Sequence, residues 1–184
     1  MNDKVKVTQP WETIRVVDTH DYVVFNTKRI ERRHPLSGAV SCFSVIESCD
    51  WVNIVAVTPS DKMIFVKQYR HGADQLTTEL PGGMIDTGES ALDAAQRELR
   101  EETGYTSKRW AYLGVTHPNP AIQSNRCSTF LALNARQTHA VDWDPNELME
   151  TLLLTPTEIE ARVASGEISH SLVLVALYWY QRYL

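Results

Sequence analysis

The 184-residue sequence predicts a single α/β domain, an α/β/α sandwich on a mixed sheet with an N-terminal antiparallel β-hairpin. Three observations predict it. The length suits one domain with a sizeable core. Segments rich in β-branched and aromatic residues alternate with stretches of helical period, and turn signals join several of the strands as hairpins. No internal repeat or low-complexity linker divides the chain.

Taken in order, Tyr22–Ile30 and Ala39–Ile46 read as strands joined by the turn His34-Pro35-Leu36-Ser37-Gly38. Residues 1–48 thus form a β extension. Trp51–Val57 and Met63–Arg70 form a second pair across Thr58-Pro59-Ser60-Asp61-Lys62, and their mostly apolar character predicts strands covered on both faces. Pro81-Gly82-Gly83 breaks the pattern. A helix is predicted from Ser90 to Thr103: Ser90 and Asp93 fit a capping box, Gly104 fits the left-handed residue after a helix, and Leu92, Ala95 and Leu99 make the buried stripe. Strands resume at Trp110–Thr116, Ser128–Leu133 and Met149–Leu154. Two helices close the chain, Pro156–Ala164 behind the N-cap Thr155 and Ser169–Tyr180.

Apolar residues make up 43% and charged residues 22%, with 8 Gly and 8 Pro, which excludes disordered and fibrous classes. The net charge is -5, and basic residues are scattered apart from Lys28-Arg29 and Arg32-Arg33-His34, so no nucleic-acid partner is predicted. An anionic ligand would need local cations or a metal to neutralise it. Cys42, Cys49 and Cys127 have neither disulfide-framework nor zinc spacing. No run approaches the ~18 apolar residues of a membrane span, and Met1-Asn2-Asp3-Lys4 lacks a signal-peptide core, so a cytoplasmic protein without a membrane partner is expected.

Glu98, Glu101 and Glu102 lie at i, i+3 and i+4 of the predicted helix and project from one face, opposite in pattern to the Leu92/Leu99 stripe. Three carboxylates on one face repel unless they hold a hard divalent cation such as Mg2+ or Mn2+. The glycines ahead of the helix suit a tight loop whose carbonyls can join the metal shell. A charge run alone is usually a solvated face; here the surrounding residues decide otherwise.

Gly83, Glu89, Arg97, Glu98, Leu99, Glu101, Glu102 and Gly104 match every fixed position of the Nudix box, Gly-x5-Glu-x7-Arg-Glu-aliphatic-x-Glu-Glu-x-Gly-apolar, and Tyr105 is the one loose position. Chance would produce the match roughly once in a million such chains. The chain therefore resembles the Nudix hydrolases, and the order of its strands and helices is similar to their fold. The resemblance implies hydrolysis of a nucleoside diphosphate linked to a further moiety, with two or three Mg2+ or Mn2+ ions. It implies Glu98 and Glu102 as principal ligands, Glu101 near a second ion or its water, and the Gly82 carbonyl completing a site. Glu101 and Glu102 would thereby be catalytic. Glu89 and Arg97 would pair to hold loop to helix, and Gly83 and Gly104 would be structural.

Val66–Gly72 leading into Thr78–Gly83 resembles the same run in the ADP-ribose and nucleoside diphosphate sugar pyrophosphatases. Arg70, at a strand end, is expected to contact phosphate, and Glu79 a ribose hydroxyl. Pro120 stands 15 residues beyond Tyr105, as in that subfamily, although Ile122–Arg126 lacks the acidic residues common there. The resemblance also implies a glutamate as general base in the loop before the last strand, which falls on Glu147, with Asp142, Asp144 and Glu150 as competitors. Trp11, Tyr22 and Phe25 could stack on a base. Subfamily relatives often dimerise through N-terminal strands, which would bring Phe25 or Arg29 of one chain to the other's site. Hydrolysis of the pyrophosphate bond of ADP-ribose or another nucleoside diphosphate sugar by a homodimer is the leading expectation. Nucleoside triphosphates or dinucleoside polyphosphates are the enzymatic alternative, and a non-catalytic ligand-sensing domain is the other.

Overall fold

A computed structural model of the chain describes residues 8–143 and 145–184; Met1 to Lys4 and Asp144 lie outside the described residues. The chain divides into two compact units, one running up to Ser48 and taking in Asn119–Asn125, the other comprising Cys49–Pro118 and Arg126–Leu184.

The first unit is a three-stranded antiparallel sheet of β1 (Glu12–Asp21), β2 (Asn26–Arg33) and β3 (Val40–Glu47), in that order. The expected hairpin is β2–β3, but the strand expected over 22–30 begins at Asn26. Tyr22–Phe25 is the turn from β1: the Val23 N–H donates to Asp21 Oδ1 (2.8 Å), the Tyr22 N–H to the Phe25 carbonyl (2.9 Å), and the Tyr22 and Phe25 rings stack at 5.2 Å. Val23 sits at φ 70°, in the left-handed region that a β-branched residue adopts at a cost. β1 was not expected because every residue of it except Asp18 is exposed, which leaves no one-sided apolar period to read. Trp11, although exposed, meets His34 and Phe43 edge-on at 4.7 and 5.3 Å.

The second unit holds β4 (Trp51–Val57), β5 (Met63–Arg70), β6 (Gln75–Glu79), α1 (Ala91–Thr103), β7 (Tyr105–Thr106), β8 (Arg109–Thr116), β9 (Cys127–Leu133), β10 (Arg136–Gln137), β11 (Met149–Leu154), α2 (Pro156–Ser165) and α3 (Ser171–Tyr183). Its main sheet runs β11-β5-β4-β9-β8, with β6 beside β5. Only β4 and β9 pair in parallel, so the sheet is mixed, as expected. β6 and the small β7–β10 pair were not expected.

Alternation along the strands sends neighbouring residues into two cores. Val55, Val57, Phe65 and Leu131 pack with Ile159 of α2 and with Val173 and Ala176 of α3; Ile54, Ala56, Ile64 and Phe130 pack with Ala94, Ala95 and Leu99 of α1. Helices on both faces make the α/β/α sandwich.

The caps follow the residues chosen for them. Ser90 accepts from the Asp93 N–H (3.2 Å), and Gly104, at φ 73°, ends α1 by donating to the Arg100 carbonyl (2.8 Å). Thr155 and Glu158 form a reciprocal capping box. α3 begins at Ser171, two residues later than expected, because the His170 side chain caps it. Leu92 is not in the buried stripe of α1 but 37% exposed; Ala94, Ala95, Leu99, Glu102 and Thr103 are buried. Glu102, three residues from Leu99, therefore belongs to the inward side of the helix rather than to an opposite, solvated face.

β4 and β5 pair only at Ala56–Ile64 and Val57–Met63, then diverge as β5 turns to β6. Residues 81–85 take the vacated edge of β4: the Ile54 N–H donates to the Pro81 carbonyl, the Val52 N–H to the Gly83 carbonyl and the Ile85 N–H to the Asp50 carbonyl, each at 2.9 Å. This split in the sheet positions the site.

Candidate active site

Alternate groups of an extended strand point to opposite sides. The Pro81 and Gly83 carbonyls face β4, so the Gly82 N–H and carbonyl face away from it, and the N–H donates to Glu102 Oε2 at 2.9 Å. Gly82 is sterically required, because its neighbour is backbone, whereas Gly83 leaves room for the mobile end of the Glu98 side chain. A Cβ on Gly82 would lie 2.3 Å from the Val52 carbonyl oxygen, and one on Gly83 would lie 2.4 Å from the Glu98 carboxylate. Helix α1 is thereby drawn against the loop with its carboxylates facing it.

Arg97 joins the parts. It forks onto Glu89, with Nε to Oε1 and Nη2 to Oε2 both at 3.0 Å, and Nη2 also donates to the Met84 carbonyl (2.9 Å). Its Nη1 donates to Glu98 Oε1 (2.8 Å) and Glu101 Oε2 (3.2 Å). Glu101 also receives Arg100 (2.8 Å), and Glu89 accepts the Asp86 N–H (3.2 Å). The pairing expected between Glu89 and Arg97 is present.

Met84, Arg97, Glu98, Glu101 and Glu102 line a cavity of about 770 Å³ together with Arg70, Glu79, Gln68, Asn53 and His170. Arg70 forks onto Glu79 (2.9 and 2.8 Å), and Thr77 Oγ1 donates to the same carboxylate (2.6 Å). The Arg70 Nη1 stands outside that fork. Asp142 and Glu147 also line the cavity; the Asp142 N–H donates to the Glu101 carbonyl (2.8 Å) and the Trp143 indole to the Glu102 carbonyl (2.9 Å), tying this loop to the end of α1.

The carboxylates of the cavity are shifted in opposite directions. Burial first, then repulsion from Glu98 and Glu147, pushes the Glu102 carboxyl well above its ordinary range. Burial likewise raises Glu98, against the pull of Arg97. Burial of Glu79 also acts upward, but Arg70 and Thr77 together outweigh it and hold Glu79 low. The Arg70–Glu79 ion pair is thus satisfied, whereas burial of Glu98 and Glu102 outweighs what Arg97, the Gly82 N–H and Arg70 supply to them.

Among the described residues, no three carboxylate, histidine or cysteine side chains converge on one point as a metal would require. Glu98 and Glu101 are turned onto Arg97, and Glu102 onto the Gly82 N–H. The donor set nevertheless fits a hard divalent cation. It comprises three carboxylates on adjacent turns, two of them raised by burial and mutual repulsion, facing a loop whose Gly82 carbonyl is directed to the same side.

The structure thus brings Arg70, Glu79, Gly82, Gly83, Glu89, Arg97, Glu98, Glu101, Glu102 and Glu147 around one cavity or its supporting loop, with Gly104 closing the helix behind. Phe25, Arg29 and Pro120 belong to the first unit, where Arg29 pairs with Asp18 at 3.2 Å. Glu150, on β11, does not line the cavity, whereas Asp142 does. Sequence reasoning missed Asn53, Gln68 and His170. An asparagine and a glutamine inside apolar strands were the available signal, since a polar residue buried in a strand needs a partner or a ligand.

A family model for the NUDIX domain matches residues 50–172. An ADP-ribose pyrophosphatase of Mycobacterium tuberculosis is 31% identical over 169 residues, covering 91% of this chain and 81% of that protein. An ADP-ribose pyrophosphatase of Bacillus subtilis is 29% identical over 147 residues, 79% of each. A crystal structure titled as an ADP compounds hydrolase superposes with a TM-score of 0.85 over 98% of this chain and 97% of that one; at 19% identity the likeness establishes the fold alone.

Proposed function

The chain belongs to the NUDIX family, and from that premise we propose that it hydrolyses the pyrophosphate bond of ADP-ribose or another nucleoside diphosphate sugar to a nucleoside monophosphate and a sugar phosphate. The observation that carries the reading is one cavity lined both by a buried carboxylate cluster, suited to a metal-bound diphosphate, and by the Arg70–Glu79 pair, which offers a guanidinium N–H to phosphate and a carboxylate to a hydroxyl. Two long matches to ADP-ribose pyrophosphatases support the same substrate class.

NUDIX hydrolases use divalent cations. We assign Mg2+ or Mn2+, two or three ions, to Glu98, Glu101, Glu102 and the Gly82 carbonyl. Bound there, the ions would neutralise the diphosphate and acidify a coordinated water. Arg97 keeps Glu98 and Glu101 together before the ions arrive and, anchored to Glu89 and Met84, keeps α1 in register with the loop. Glu147, on the loop before β11, takes the proton of the attacking water. Arg70 offers Nη1 to a phosphate oxygen, and Glu79 accepts from a ribose hydroxyl.

We extend the reading to a cytoplasmic homodimer formed through the N-terminal unit, residues 1–48, in which Phe25 and Arg29 of one copy, with Pro120, complete the substrate site. Exposed Val16, Tyr22, Val24, Val40 and Phe43 on that unit support association. The experiment that tests the function is product analysis after incubation with Mg2+ and a panel of diphosphate sugars, nucleoside triphosphates and dinucleoside polyphosphates. Nucleoside monophosphate plus sugar phosphate, absent with Glu102→Gln, is the expected result; pyrophosphate released from a triphosphate alone would move the protein to the triphosphate branch.

A further inference from the structure

The segment between α2 and α3 is held by buried polar groups whose hydrogen bonds the fold could have spent elsewhere. Asn53 of β4 is 6% exposed and donates through Nδ2 to the Leu172 carbonyl (3.1 Å); Thr78 of β6 is 2% exposed and donates to Glu167 (3.3 Å). β4 therefore holds the first turn of α3, and β6 holds the segment that leads into it. A buried hydroxyl or amide without such a partner is costly, so the segment and the strands fix one another.

What this grip positions is His170. Its Nδ1 accepts the Leu172 N–H at 3.2 Å, capping α3. Serine, threonine, asparagine or aspartate serves an N-cap with fewer atoms, and Ser169 and Ser171 flank the position, so capping alone does not call for an imidazole. An Nδ1 that accepts places the ring proton on Nε2. The imidazole is therefore held in a fixed orientation with its Nε2–H as the remaining donor, among the residues lining the 770 Å³ cavity and near Glu79.

We propose that His170 is a substrate-binding residue that donates its Nε2–H to a hydroxyl of the sugar moiety. Glu79 already holds Arg70 Nε and Nη2, so a hydroxyl placed between the two side chains can accept from the imidazole and donate to the carboxylate, while Arg70 Nη1 is left to a phosphate oxygen. The inference rests on the diphosphate-sugar reading and names the group that recognises the sugar.

The test is steady-state kinetics of His170→Asn on the diphosphate sugar that the wild type turns over best, with inhibition by each product. Asparagine retains an acceptor for the Leu172 N–H but withdraws the Nε2–H, and His170→Ser serves as a second cap-retaining variant. We expect KM to rise about five- to tenfold with kcat within about twofold, as for lost uniform binding. Inhibition by the sugar phosphate should weaken by the same factor, while inhibition by the nucleoside monophosphate and the melting temperature stay unchanged. An active wild type with an unchanged KM in both variants would overturn the inference. So would a raised KM accompanied by equal weakening of nucleoside monophosphate inhibition, since that marks a general disturbance of the site. A wild type inactive on every diphosphate sugar would overturn the proposed function, and this inference with it.

Discussion

Removing the Arg97 side chain should cost the metal-free protein about 3 kcal/mol. An exposed ion pair contributes about 0–1 kcal/mol, but Arg97 is not in that class. Its side chain is 25% exposed, and its partners Glu89 and Glu98 are 17% and 14% exposed. Arg97→Ala would leave these two carboxylates and the 28% exposed Glu101 crowded at the loop without a counter-charge, and would strip the Met84 carbonyl of its donor. Stranding partly buried charge typically costs about 3–5 kcal/mol, and relief by water and protonation at this half-open cavity puts the value at the lower end. For a chain of this size that corresponds to a fall in Tm of about 6–12 °C. Arg97→Lys should recover less than half, because an ammonium cannot fork onto Glu89 and reach Glu98 together. Mg2+ should stabilise Arg97→Ala by more than it stabilises the wild type, since the freed carboxylates can close on the ion. Urea unfolding followed by circular dichroism, with and without Mg2+, measures all three. A loss below about 1 kcal/mol for Arg97→Ala would refute the reasoning, because it would mean that the carboxylate cluster does not depend on the arginine.

Three further outcomes follow from the same geometry. Gly82→Ala places a methyl group 2.3 Å from the Val52 carbonyl, a backbone atom that cannot swing aside, so calorimetry should register a loss of about 2–3 kcal/mol and turnover should fall with it. Glu98 and Glu102 have folded-state pKa values above the ordinary 4.5, so the folded protein holds more protons than the unfolded chain between those values. Metal-free stability should therefore fall as pH rises through that window, Glu102→Gln should raise the metal-free Tm there, and saturating divalent cation should flatten the slope. Glu79 and Glu89 are shifted down, so their contribution should be lost instead as pH drops below 4.5. Glu147→Gln should lower kcat about a hundredfold at unchanged Mg2+ affinity in titration calorimetry; wild-type turnover would remove it as the base.

The parts of the fold legible in the sequence were those whose pattern meets a single face or a strong punctuation mark. Ile54 to Val57 and Met63 to Val66 read as strands covered on both sides because both cores draw on them, and Ser90, Gly104 and Thr155 declared their helix ends. β1 was illegible because almost all of it is exposed. Tyr22–Phe25 was misread because an apolar run that forms a turn looks like one that forms a strand until Val23's positive φ is seen. Leu92 was misplaced since a regular i, i+3, i+7 spacing cannot tell which edge of the stripe faces the sheet. In the site, the spacing of Glu98, Glu101 and Glu102 already marked one helix face, but the burial of Glu102 depends on how tightly Gly82 approaches β4. The Arg70–Glu79 fork needs the β5–β6 register, and the placement of His170 needs Asn53 to reach across to α3; both are long-range facts that no local pattern carries.

The most direct test of the account is chromatographic identification of products from ADP-ribose and other diphosphate sugars, with the wild type and Glu102→Gln side by side, with and without divalent cation. The account predicts nucleoside monophosphate and sugar phosphate in equal amounts from the wild type, only with the cation, and almost none from the variant. Cation-independent turnover, or full activity in Glu102→Gln, would contradict it.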